Sequence, residues 1–241
     1  MKFLEKIQGL FANKSDVKPQ SLNLTSAEWK LLIKEHLTPI IEKELQMKQL
    51  SDYVWASDYE DGKRKVLSFF FINEAYATFK WGWNFDFMPK TLGNKAVWAR
   101  TDKSIYMHIF EVSPDFESAN QKNRTARDKT IVSKYDVYNE GLKKKINNHK
   151  EVLYHLLPLI NEYYSATDSY EKILNRIDMN MESTYYQLLG AVSLIPKAFI
   201  EERMGKHKEA LEDFNKAYFN NVIIKDEYYK KFLLLNENSN L

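Results

Sequence analysis

Between residues 79 and 87 every second side chain is a large aromatic. Phe79, Trp81, Trp83, Phe85 and Phe87 alternate with Lys80, Gly82, Asn84 and Asp86. Successive side chains of a β-strand point to opposite faces. The stretch therefore encodes a strand with one apolar face that needs a cover and one polar face with a gap at Gly82. The cover lies upstream. Thr25-Ser-Ala-Glu28 has the spacing of a capping box and opens a helix with Trp29, Leu32, Ile33, Leu37, Ile40, Ile41 and Leu45 on one stripe. Pro39 should kink that helix, or restart it with Thr38 as a new cap and proline in the first turn.

From about 51 to 112 the apolar period is two. The runs DYVWASDY, KRKVLSFFFI, AYATFKWGWNFDF, KAVWAR and SIYMHIFEV are separated by turn signals, of which Asp61-Gly62 is the clearest. Five strands joined by short turns leave no room for crossover helices, which predicts an antiparallel meander. Residues 113–134 are polar, open with Ser-Pro and read as a linker; Lys122, Arg124, Arg127 and Lys129 form a modest basic cluster there. The remainder is helical. Asn148 to Glu151 and Asp168 to Glu171 have cap spacing, Pro158 and Pro196 interrupt apolar stripes, and a helix from about Ser183 to Met204 ends at Gly205. The expected organisation is α+β: residues 1–112 as a five-stranded antiparallel meander packed on an N-terminal helix, a linker at 113–134, and an all-helical region of antiparallel hairpins at 135–241. A short amphipathic helix carrying Phe3, Leu4, Ile7, Leu10 and Phe11 and a polar stretch at 12–24 precede this.

Composition narrows the chemistry. The 241-residue chain has no cysteine, which removes disulfides, thiolate metal sites and cysteine nucleophiles. Its 35 Lys and Arg nearly balance 33 Asp and Glu, so no nucleic-acid or anionic-membrane partner is implied. No run approaches the roughly 20 apolar residues of a membrane span, and the N-terminal apolar stretch is broken by Glu5, Lys6 and Gln8. A cytoplasmic location is the expectation. The histidines (His36, His108, His149, His155 and His207) show no metal-binding spacing, and no phosphate-cradling glycine loop or nucleophile elbow occurs. No cofactor, metal or catalytic residue is therefore assigned.

If Ile105, Met107 and Ile109 join the core, Tyr106 and His108 face the same way as Asn84 and Asp86, with Trp98 and Arg100 on the strand between. Asn84, Asp86, Trp98, Arg100, Tyr106 and His108 are thus the candidate ligand-binding residues. An acid, an amide, a histidine and an arginine on one sheet face can bind a polar ligand or exchange protons. They equally suit a solvated face of cross-strand polar pairs.

Two resemblances complete the reading. ERMGKHKEALEDFNKAYF resembles the second half of a tetratricopeptide repeat, with Gly205 in the turn and Ala210, Phe214 and Ala217 on one helix face. Ala198 holds the small-residue place on the preceding helix. His207 stands where an aromatic is usual, and Asn220-Asn221 near the usual proline. One such unit implies a helical hairpin and not a multi-repeat groove. WGWNFDFMP followed by VWARTDKSI is similar to a bacterial group of uncharacterised α+β domains of the DUF4304-like kind. That resemblance implies bacterial origin and a protein-binding, immunity-like role, and supplies no catalytic residues. The leading expectation is a non-catalytic protein that binds another protein. The alternative is an enzyme or small polar-ligand binder using the sheet's polar face.

Overall fold

A computed structural model describes residues 25–73, 76–112, 142–181, 190–219 and 222–238. The expectations for the N-terminal helix, the 12–24 stretch, the 113–134 linker with its basic cluster, and Asn220-Asn221 lie outside the described residues. In chain order the elements are α1 (Ser26–His36), α2 (Thr38–Leu45), β1 (Lys48–Ser51), β2 (Val54–Ala56), β3 (Lys63–Asn73), β4 (Tyr76–Phe85), β5 (Pro89–Leu92), β6 (Lys95–Trp98) and β7 (Ile109–Val112). Then follow α3 (Leu142–Ala166), α4 (Tyr170–Met181), α5 (Gly190–Arg203), α6 (His207–Lys216) and α7 (Val222–Asn238).

The capping box at Thr25 is formed as the spacing requires: Glu28 N–H donates to the Thr25 hydroxyl and the Glu28 carboxylate accepts from Thr25 N–H. Pro39 does restart the helix, but Leu37 and not Thr38 is the cap residue, without a side-chain cap bond. The Thr38 hydroxyl is instead buried against the sheet, where it accepts from the Trp55 indole at 3.1 Å. Asn148 lies inside α3 and does not cap a helix, and the cap expected at Asp168 falls one residue later. Ser169 Oγ accepts from Lys172 N–H, and Asp168 forms an ion pair with Lys172.

The sheet has five antiparallel strands in the order β1-β2-β3-β4-β7. Its hairpin at Asp61-Gly62 has both turn residues at positive φ (46° and 73°), the backbone of a two-residue turn matched to strand twist. Membership differs from the sequence reading in two places. β1 is an additional strand, and the KAVWAR run pairs only with β5 in a separate two-stranded sheet packed on α7. The chain passes from β6 through a 3₁₀ turn at Asp102–Ser104 and returns to lie beside β4 as β7. Gly82 admits that return. A Cβ there would stand 1.9 Å from Ile109 O and 2.7 Å from Phe110 Cα, so the gap in the polar face is filled by the β7 backbone.

Paired residues of β3 and β4 share a face. Lys63, Lys65, Leu67 and Phe69 therefore lie with Phe85, Trp83, Trp81 and Phe79 on one side. All four aromatics of β4 are buried there. Trp29, Ile33, Leu37 and Ile41 of α1 and α2 cover the Phe69 end, with the Trp29 and Phe69 rings 6.2 Å apart. The Trp83 end is covered by α3: Tyr164 meets Trp83 edge-on at 5.3 Å, its hydroxyl donates to Val66 O, and Trp83 Nε1 donates to Thr167 Oγ1 at 2.9 Å. One continuous apolar cluster runs from Trp29 through the sheet to Leu235 of α7. The expected helical hairpin is present within it. Gly205 turns at φ +77°, Ala198, Ala210, Phe214 and Ala217 are buried, and Phe214 packs on Phe199 and Phe232. The last segment forms α7 over this hairpin, burying Ile224, Tyr228, Phe232 and Leu235.

Truncating Trp83 to Ala removes a buried ring and its bond to Thr167. Urea unfolding should show a loss of about 3–5 kcal/mol. A loss below about 1 kcal/mol would be incompatible with a load shared between sheet and α3 at this ring.

Candidate functional site

The polar side of β4 is covered where a solvated face was one expectation. Asn84 is buried beneath the 99–108 loop. Its Oδ1 accepts from Arg64 Nε at 2.9 Å and lies 2.6 Å from the Tyr59 hydroxyl, while its Nδ2 donates to Ala99 O. Arg64 is almost wholly buried, stacks on the Tyr59 ring at 4.4 Å, donates to Thr101 O and pairs with Asp102 at 2.7 Å. Burial pushes the Tyr59 hydroxyl up to about 12. His108 enters from the far end of the loop. Its Nδ1 accepts Phe85 N–H, so the neutral ring carries its proton on Nε2, toward the Met88 and Pro89 carbonyls. Burial pushes its pKa down to about 3, and a ring that stays neutral above that pH exchanges no proton near neutrality.

The other four candidates sit around this network without converging on it. Arg100 is exposed, stacks on Trp98 at 4.2 Å and donates to the Asp86 backbone carbonyl at 2.7 Å. Burial raises the Asp86 pKa, with Arg100 and Arg203 opposing. Tyr106 is exposed and meets the His108 ring edge-on at 5.2 Å. Asn84 and His108 are brought together, Trp98, Arg100 and Asp86 form a separate surface group, and the polar atoms of the first group bind the loop to the sheet. A solvated sheet face would make Asn84 cheap to replace, whereas the buried network makes it costly. Asn84→Ala strands Arg64 Nε in a buried site and should cost about 2–3 kcal/mol in urea unfolding. A cost within 0.5 kcal/mol of zero, the usual surface value, would refute the network's role.

The opposite side of β3 holds an opening the sequence reading passed over. A cleft of about 380 Å³ lies between the β2–β3 hairpin and the C-terminal end of α3. Lys63, Lys65 and Trp83 form its wall, Asp58, Glu60 and Asp61 one edge, and Asn161, Ser165 and Asp168 the other. Lys63 is only 9% exposed. Its ammonium lies 5.0 Å from the Tyr170 ring centre and 5.7 Å from that of Trp83, and the Lys65 ammonium lies 5.3 Å from Tyr164. A signal for this was present: Lys63 and Lys65 have the parity of Leu67 and Phe69, so two cations occupy inward positions of a core strand.

A second cluster of charge lies among the helices. Lys197 of α5 reaches Asp178 of α4 at 2.9 Å, Asp213 of α6 at 3.1 Å and Glu201 at 3.9 Å. Burial, with repulsion from Asp213 against the pull of Lys197, raises Glu201 to about 7. Its folded pKa exceeds the ordinary 4.5, so the native state holds the extra proton and stability falls as pH rises between about 4.5 and 7. Glu201→Gln should remove that decline, giving a variant that gains on the wild type between pH 5 and pH 8 in urea midpoints. Parallel curves for the two proteins would contradict this origin. Among the described residues no group of three or more His, Asp or Glu is placed to hold a metal ion, and no helix is long and apolar enough to cross a membrane.

Several exposed apolar residues gather on the C-terminal helix. α7 buries Ile224, Tyr228, Phe232 and Leu235 on one side, yet also exposes Val222, Ile223, Tyr229, Leu233 and Leu234, with Val222 74% exposed. Comparison with known families, curated proteins and solved structures finds no match.

Proposed function

We propose that this chain is a non-catalytic protein-binding protein, of the interaction or immunity-like kind, that takes an apolar helical face of a partner onto the outer side of α7. The carrying observation is that α7, besides its buried stripe, exposes Val222, Ile223, Tyr229, Leu233 and Leu234 alongside Asp226 and Lys230. Exposed apolar residues gathered on one element among polar ones mark an interaction surface. α5 packs against both α6 and α7, Phe232 of α7 meets Phe214 of α6, and the outer side of α7 is uncovered among the described residues. A partner helix on Val222, Tyr229 and Leu233 continues that packing, in the manner of helix-in-groove recognition. The burial of Asn84 and His108 beneath the loop removes support from the enzyme reading, because both Asn84 polar atoms and His108 Nδ1 are paired within the protein and His108 is neutral. The resemblance of WGWNFDFMP and VWARTDKSI to bacterial α+β domains supports reading it as a bacterial cytoplasmic protein.

The test is a double variant, Val222→Lys with Leu233→Lys, which leaves the buried side of α7 intact. The unfolding midpoint should stay near wild type, and a heterologous protein captured by the wild type from its native cells should be lost. Binding of that purified protein should weaken by about a hundredfold, as for an interface hot spot. Equal capture by both proteins would overturn the proposal. So would a wild-type dimer that the variant renders monomeric, which would assign the face to self-association.

A further inference from the structure

We propose that the cleft beside Lys63 and Lys65 is a binding site for a small dianion bearing phosphate or paired carboxylate groups, independent of the α7 face. Lys63 is buried and Lys65 half-buried, and a buried lysine is rarely without a partner. Neither ammonium has a carboxylate within ion-pair distance among the described residues; each rests on aromatic rings instead. The ring faces attract the ammonium groups but supply none of the hydrogen-bond acceptors that three N–H donors require.

The acids at the edges are largely committed elsewhere. Asp58 pairs with Lys48 at 2.5 Å, Asp168 with Lys172 at 2.9 Å, and Asp61 faces Arg203 at 4.0 Å. Glu60 remains at the mouth, and Lys63 acts on Asp168 only at longer range. The floor of the cleft is therefore positive. Lys63 and Lys65 are two residues apart on one strand, which sets their backbones about 7 Å apart and lets two flexible ammonium groups converge on one doubly charged group. Ser165 and Asn161 add donors at the rim. A volume of about 380 Å³ admits a small organic phosphate or a short dicarboxylate.

The experiment titrates the whole chain with inorganic phosphate, and separately with succinate, at constant ionic strength, following the backbone amides of Lys63, Lys65 and Ser165 by NMR. Saturable shifts at these residues with one or both probes are expected, and the stronger probe identifies the anionic group. Lys65→Gln, at a half-buried position, should fold normally and bind about ten- to a hundredfold more weakly. Lys63→Met separates ligand binding from a structural role. It should lose the response while melting no lower than the unliganded wild type, since an apolar chain suits the burial at least as well. The inference is overturned if neither probe saturates, if chloride at equal ionic strength produces the same shifts, or if Lys65→Gln binds as the wild type does.

Discussion

The aromatic face of β4 needs more cover than any neighbouring segment offers, and most of the architecture answers that need. α1 and α2 reach the Phe69 and Phe79 end. The Trp83 end is closed by α3, where the Tyr164 and Thr167 hydroxyls bond to the sheet through partners more than 80 positions away in the chain. Each bond satisfies a polar group that burial of the rings would otherwise strand. Helices from both sides of residues 113–134 consequently share one core with the sheet, and packing on one side of that segment depends on the other.

Strand β4 is also buried on its second face, by a different means. There the cover is the 99–108 loop, held by hydrogen bonds and a stacked arginine more than by apolar area. Arg64, Asn84 and His108 form a paired set whose members lose their value singly, because each leaves another donor or acceptor unpaired. Only a small apolar cluster of Ala56, Val66 and Met107 accompanies them. Such an arrangement specifies a single loop position more than it adds stability, and it directs β7 into the space above Gly82.

Two surfaces remain where local choice conflicts with burial. Lys63 and Lys65 stand at core parity, and α7 presents apolar residues outward. The capping box at Thr25, the positive-φ residues of the Asp61-Gly62 and Gly205 turns and the buried aromatics of β4 all agree with the fold. Departures of this kind concentrate where a chain does something besides fold.

Periodicity and spacing alone determined the alternation of Phe79 to Phe87, the capping box at Thr25, the Asp61-Gly62 turn and the hairpin around Gly205, because each depends on residues within a few positions of one another. They also indicated the five-stranded antiparallel sheet with helices after it. Tertiary structure decided what period two cannot express. It determined which strands are neighbours, so that KAVWAR left the sheet and β7 returned to β4. It determined that Asn84 and His108 face a loop and not water, and that Thr38 serves Trp55 instead of capping a helix. It also joined the end of α3 to the start of β3, roofing two lysines about a hundred residues distant in the chain. A side chain's face follows from its parity, whereas what covers that face is set by long-range packing, which no local pattern records.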